Sequence, residues 1–364
     1  MISIYSTQEI ISSIYHNDER RYSAWLELII KLRPNLKLWF DTEINNFNEY
    51  NPVIDLSKSF DIGIEIIGEY SEFINKIANK DVNLNNVVLI DAQAIYLLDI
   101  DKKTAKFISD RYGIICHSIK DDPIDCPLFQ EGIEKNYDKG EYQKEWKDIL
   151  INKVTYPCNS LIFNDRYLFA FETSDKNNEI AIDNVYDILN NILPENLSTE
   201  FHILIIFDAS KLSKPINEDN NIEKFKKIST KINSLKKKLN RPYPIVIETV
   251  SLDSNTLNYQ ETHNRRVLSN YFILRAEHSL KAFQSKKVLY TQSLLLDWIA
   301  SKGILTQVNS DIPAKSLKTY IKNLSKSIQQ LKKDQGNILF TQNGNPKISI
   351  KEIRNRLIEL YANE

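Results

Sequence analysis

The sequence predicts an α/β protein: mixed, mostly parallel sheets with flanking helices in two units, followed by a helical C-terminal tail. Short apolar runs rich in β-branched residues, such as Val87–Asp91, Phe201–Phe207 and Pro244–Val250, alternate with longer amphipathic stretches. That order is expected where crossover helices join parallel strands. A charged, broken stretch from Asp121 to Gly140 separates two such series and reads as a linker. Charge is unevenly divided along the chain. Residues 1–200 hold 20 Lys+Arg against 34 Asp+Glu, a balance of −14, and residues 201–364 hold 27 against 14, a balance of +13, leaving the whole chain at −1. The organisation that follows is an acidic N-terminal α/β domain over 1–140, a second α/β domain over 141–290 and a basic helical tail over 291–364.

Taken in order, Ser6-x-x-Glu9 has the form of a capping box and predicts a helix to about Tyr15. A second helix over Asp18–Leu32 carries Tyr22, Trp25, Leu26, Ile29 and Ile30 at helical spacing and stops before Pro34. Leu36–Phe40 reads as a strand, Asp41–Asp55 as a loop, Phe60–Ala78 as a helix and Val87–Asp91 as a buried strand. A helix over Lys102–Tyr112 closes at Gly113 and leads into strand Ile114–Cys116. After the linker come a helix over Glu141–Ile151, strand Ser160–Phe171, helix Ile182–Leu193, strand Phe201–Phe207, helix Asn221–Leu239 and strand Pro244–Val250. Residues 261–283 read as two strands, or a strand running into a helix. The tail predicts helices over Leu294–Ala300 and Ala314–Lys333, a hairpin at Asn343-Gly344-Asn345 and a last helix from Ser349.

With 42% hydrophobic residues the chain has material for a sizeable core, and it contains no uninterrupted apolar run of membrane-spanning length. The start, Met1-Ile2-Ser3-Ile4-Tyr5, is not a basic-then-apolar leader, so the expected location is cytoplasmic, away from membranes. Cys116, Cys126 and Cys158 lack both C-x-x-C spacing and a nearby histidine pair, which argues against a disulfide framework and a zinc site. There is no glycine-rich phosphate loop, no G-x-S-x-G and no H-E-x-x-H. No cofactor is expected.

The densest polar constellation is residues 261–283, which hold two of the five histidines. Val267–Leu274 is almost continuously apolar and reads as a buried strand with His263, Arg265 and Arg266 at its mouth. Imidazole beside guanidinium suits phosphate: arginine presents a forked, permanently charged donor set, and histidine attacks or carries a proton near neutral pH. The same residues also read as a hydrogen-bonded turn with solvated arginines. His278, between Glu277 and Ser279, reads as a surface group.

The spacing His263-x-Arg265-x4-Asn270 resembles the His-x-Lys-x4-Asp motif of the phospholipase-D-like superfamily. That resemblance implies a histidine nucleophile at His263, a phosphate-binding cation at Arg265 and an orienting role at Asn270. Arg265 and Asn270 depart from the pattern, and asparagine neither accepts a proton nor holds negative charge. The superfamily uses two motif copies, and the best internal partner, Phe163-Asn164-Asp165-Arg166-Tyr167-Leu168-Phe169, has no histidine. The resemblance therefore implies either a degenerate, phosphate-binding domain or a ring completed across a homodimer.

A basic second half suits a polyanion, DNA or RNA, whose affinity comes largely from counterion release. Arg266 and Arg275 are the expected contacts beside Arg265, with Lys224, Lys227, Lys231, Lys237 and Lys238 of the predicted basic helix in support. The acidic first half suits a basic protein partner, and a non-enzymatic scaffold is one reading of the chain. A rival site is Asp91, since Val-Leu-Ile-Asp-Ala-Gln-Ala-Ile is similar to the opening strand of PIN-like nucleases. There the aspartate holds a divalent metal, here with Asp110, Asp121, Asp122 or Asp125 as companions. A nuclease-like, degenerate domain in a chain with Asn-, Ile- and Lys-rich bacterial composition suggests, by analogy, defence against mobile DNA.

Overall fold

The computed structural model describes residues 2–33, 36–41, 51–66, 93–150, 157–170, 175–212, 218–252, 265–301, 313–331, 340–347 and 353–360. The chain is α/β, as the alternation predicts. Its first unit runs β1 (Ile2–Thr7), α1 (Gln8–His16), α2 (Arg20–Leu32), β2 (Leu36–Asp41), α3 (Pro52–Phe60), β3 (Gly63–Ile66), β4 (Ala94–Leu98), α4 (Lys102–Tyr112) and β5 (Ile115–Ser118). All five strands are parallel, in the order β3-β2-β1-β4-β5.

Several local expectations are corrected here. The cap of α1 is Thr7, whose side chain accepts the Ile10 N–H, because Ser6 lies within β1 and donates its hydroxyl to the Leu97 carbonyl at 2.7 Å. Part of the expected 41–55 loop is α3, started by the Asn51 cap and Pro52. In place of a helix from Phe60, the chain reverses at Asp61, in the left-handed region at φ 52°, and enters β3. The expected strand Val87–Asp91 lies outside the described residues. On one sheet face Trp39, Tyr5 and Tyr96 form a stacked row, with centroids 5.7 and 4.9 Å apart.

The second unit contains β6 (Ile133–Tyr137), α5 (Lys147–Leu150), β7 (Ser160–Asn164), α6 (Asp175–Ile192), β8 (Phe201–Phe207), α7 (Glu218–Leu239), β9 (Ile245–Ser251), β10 (Arg265–Ser269), β11 (Phe272–Ala276), β12 (Phe283–Gln284), β13 (Lys287–Val288), β14 (Gln292–Trp298), α8 (Pro313–Leu331), β15 (Phe340–Gln342), β16 (Asn345–Pro346) and α9 (Arg356–Leu360). Its nine-stranded sheet has the order β16-β15-β9-β8-β7-β10-β11-β14-β6. The centre, β7-β8-β9, is parallel, and the strands on either side join it antiparallel. Helices α6 and α7 cover one face, and α8 and α9 pack on the other.

Three predicted elements change character. The stretch read as a linker contributes β6, an edge strand. Its residues Glu134, Lys135 and Asn136 are exposed, so no alternation marks it. The tail segment at 294–300 is strand β14, because Gln292–Trp298 is paired on both sides and its unbroken apolar run carries no period to distinguish strand from helix. The run Val267–Leu274 is a hairpin folded at Asn270-Tyr271.

That hairpin tip joins the two sheets. The Tyr271 hydroxyl donates to the Ala94 carbonyl at 2.5 Å and accepts the Ile115 N–H at 3.3 Å, inserting between the starts of β4 and β5. Gln93 donates to the Asn270 carbonyl, and Asn159 donates its amide to the Tyr112 carbonyl. Gly113 faces Cys158 so closely that a Cβ there would lie 2.1 Å from its carbonyl oxygen, and φ is +63°. Only glycine closes α4 at this seam.

Candidate functional site

Parallel strands end where their crossover connections begin, and in open α/β sheets ligands meet polar side chains at those carboxyl ends. In the nine-stranded sheet Asp165 follows β7 and Asp208 follows β8, each after a wholly buried strand. Because β10 runs antiparallel to β7, with Arg266 opposite Asn164, its first residue Arg265 arrives beside Asp165 at this same edge.

Asp165 is fully buried. One carboxylate oxygen accepts the Tyr167 N–H at 3.0 Å and the other the Leu280 N–H at 3.1 Å. Burial raises its pKa above the usual carboxylate range, whereas those N–H groups and the charges of Arg265 and Lys281 pull it back. Arg265 is half-buried and donates from Nη1 to the Glu277 carbonyl at 2.7 Å, while its buried Nε has no hydrogen-bond partner among the described residues. Arg166 is buried and locked, its Nε donating to Asp208 at 3.0 Å. The other Asp208 oxygen accepts the Ser210 N–H and hydroxyl. The edge thus holds one immobilised ion pair and one buried carboxylate beneath two cations, Arg265 and Lys281.

His263 lies outside the described residues, two positions before Arg265 in the chain. Asn270 is at the far end of β10, roughly 17 Å along the strand from Arg265. It is fully buried there: its side-chain Oδ1 accepts the N–H groups of Asn159 and Ser160, and its side-chain Nδ2 donates to the Asn159 Oδ1. Those bonds fix the start of β7, so Asn270 holds the scaffold and stands apart from the edge. Arg266 points to the opposite face from Arg265, as neighbouring strand residues must. It is buried with its guanidinium carbon 3.3 Å from the centre of the Tyr320 ring of α8, and Arg275 pairs with it in register. The guanidiniums expected to act together are therefore divided between two faces.

The lysines of α7 are spread along the helix. Lys224 donates to the Leu212 carbonyl near the edge. Lys227 pairs with Glu223 at 3.0 Å, Lys231 with Glu179 at 4.0 Å and Lys238 with Asp183 at 3.6 Å. Lys237 is exposed. Lys238 lies about 21 Å from Lys224 along the helix, towards the opposite edge of the sheet. Two of these lysines, Lys231 and Lys238, thus face carboxylates of α6, pairs worth little stability at these exposures.

At the rival site Asp91 lies outside the described residues, Asp110 pairs with Lys106 at 2.5 Å and Asp125 with Lys102 at 2.5 Å. Asp122 caps a 3-10 turn. Among the described residues no group of three or more His, Cys, Asp and Glu could hold a metal, and no helix is long and apolar enough to cross a membrane. Burial pushes the three free thiols up, Cys126 to about 12, which suits packing rather than nucleophilic use. Lys281 carries no local motif that marks it in the sequence. Asp165 and Asp208 do, each being the first acid after an apolar strand. No protein-family model matches this chain, and no curated protein sequence is significantly similar to it.

Proposed function

We propose that the chain interacts with nucleic acid by taking a phosphodiester group at the edge formed by Asp165, Arg166, Asp208, Arg265 and Lys281. One observation carries this reading: Arg265, with an unpartnered Nε, lies beside buried Asp165 where the parallel strands end. A phosphate oxygen would give the Arg265 Nε an acceptor, with Nη1 already on the Glu277 carbonyl, and the Arg166–Asp208 pair keeps the floor of the site rigid. Asp165 responds to the ligand's charge. An anion that offsets Arg265 and Lys281 removes part of what pulls the Asp165 pKa down, so binding shifts it further upward.

The phospholipase-D-like resemblance supplies His263 as the nucleophile if the protein turns over, with no metal required. With Asn270 committed to the β7 scaffold, the reading rests on the edge and not on the complete motif. The test is binding and cleavage of labelled single- and double-stranded DNA and RNA by wild type, His263→Ala and Arg265→Ala, with magnesium or with chelator. Arg265→Ala is expected to weaken binding to every sequence and to reduce the salt slope by about one. His263→Ala is expected to leave binding in place and remove any chelator-resistant cleavage. Unchanged binding and salt dependence in Arg265→Ala would refute the proposal.

A further inference from the structure

Beside this edge the chain displays aromatic rings and cations on one stretch of surface. The loop after β11 turns over the site: Glu277 accepts from Arg265, the Leu280 N–H reaches Asp165, and between them exposed His278 stacks on Tyr290, with centroids 4.3 Å apart and planes 5° from parallel. Tyr290 is followed by Thr291, whose hydroxyl accepts the Lys139 N–H, and the 138–144 segment lies along the β12–β13 hairpin. There Tyr142, 70% exposed, pairs with Lys287, whose Nζ stands 5.0 Å from the ring centre. Lys139, Lys286 and Lys287 are exposed around it, and Lys281 is partly so. Lys144 is paired with Glu141 at 3.5 Å, and Asp138, Glu145, Asp148 and Glu277 are the other acids nearby, so the cations concentrate at Lys139, Lys286 and Lys287 beside the Tyr142 ring.

A single exposed tyrosine is ordinary surface by itself, but two ring positions interleaved with lysines match the backbone and bases of an unpaired strand. We infer that this surface, from His278–Tyr290 to Tyr142–Lys287, binds single-stranded nucleic acid by stacking bases on its rings and leads the strand to the Arg265 edge. The inference deepens the reading above and rests on it for the placement of the phosphate. Stacking requires a free base face, which a duplex presents only at its ends. The surface therefore discriminates single strands from duplexes, a distinction the phosphate edge alone does not make.

The experiment is titration of the full-length protein with a labelled oligothymidylate of about 20 nucleotides and with a hairpin-closed duplex of the same charge. Tyr142→Ala and Tyr290→Ala are expected to weaken single-strand binding by about fivefold to a hundredfold each and leave duplex binding unchanged. Tyr142→Phe and Tyr290→Phe, which keep the ring, are expected to bind as wild type, and equal melting temperatures exclude misfolding as the cause. Alanine variants that bind the oligonucleotide like wild type, or lose duplex binding in equal proportion, overturn the inference. Arg265→Ala, titrated alongside, separates the two proposals: a loss there with unaffected tyrosine variants removes the stacking surface and keeps the edge. The converse keeps the surface and removes the edge. A wild-type protein that binds neither probe removes both.

Discussion

Replacing Asn270 by alanine removes the fully buried side chain that accepts the N–H groups of Asn159 and Ser160 at 3.1 and 3.2 Å and donates to Asn159 at 3.0 Å. Two backbone donors then lose their side-chain acceptor inside the protein. An unsatisfied buried polar group costs about 1–3 kcal/mol, so the pair together with a small void comes to about 3–5 kcal/mol. At an unfolding entropy of about 2.1 cal/mol/K per residue, that lowers the melting temperature of a chain this long by about 4–6 °C. Calorimetry on wild type and Asn270→Ala measures it directly. Asn270→Asp is the sharper comparison, because it introduces the acid found at this position of the motif that the spacing resembles. Here the carboxylate would face the Asn159 carbonyl oxygen in place of a donor, so it is expected to destabilise comparably and confer no cleavage. An Asn270→Ala protein that melts like wild type yet loses nucleic-acid binding would refute the scaffold role.

Tyr271→Phe removes one hydroxyl from between Ala94 and Ile115, and a loss of about 2–4 kcal/mol is expected by chemical denaturation. Burial raises Glu248 to about 7, well above its unfolded value near 4.5, so its contribution to stability is complete below pH 4.5 and is lost as pH rises through 7. His202, held down to about 4 by burial and by Arg356, acts in the opposite sense: its contribution is present above pH 6.5 and lost as pH falls through 4. The two offset each other across the shared window. Glu248→Gln is therefore expected to make stability rise more steeply, or fall less, between pH 4.5 and 7 than it does in wild type, read from denaturant midpoints on a pH series. Charge reversal at Lys224 and Lys227 is expected to weaken polyanion binding more than reversal at Lys237 and Lys238, measured as the slope of binding against salt, since the latter pair lies at the far end of α7.

What could be read from residues alone follows from how local each signal is. Phe201–Phe207, α2 and α4 announce themselves through a continuous apolar run, a helical stripe around Trp25, and the pair of Asp101 and Gly113 at the two ends of α4. The Asn343-Gly344 turn does so as well, with both residues at positive φ. Strand β14 was opaque because pairing on both sides erases the alternation that distinguishes strand from helix. Edge strand β6 was opaque for the reverse reason, with solvent on its middle residues. At the site, Asp165 and Asp208 each follow an apolar run, a local pattern in the residues that could have singled them out. The separation of Arg265 from Arg266 onto two faces follows from strand geometry once Arg265 is known to begin β10. Neither Asn270 at the hairpin tip nor Lys281 over Asp165 is decipherable without the long-range pairing of β7, β10 and β11.

The β10–β11 hairpin has its open end at Arg265 and its closed end wedged among Ala94, Ile115 and Gln93 of the other sheet. It is in effect a rod with one tip in each half of the molecule. Both of its strands are paired on either side for most of their length, so a displacement of Arg265 along β10 would meet hydrogen-bonded backbone all the way to the base of β4 and β5.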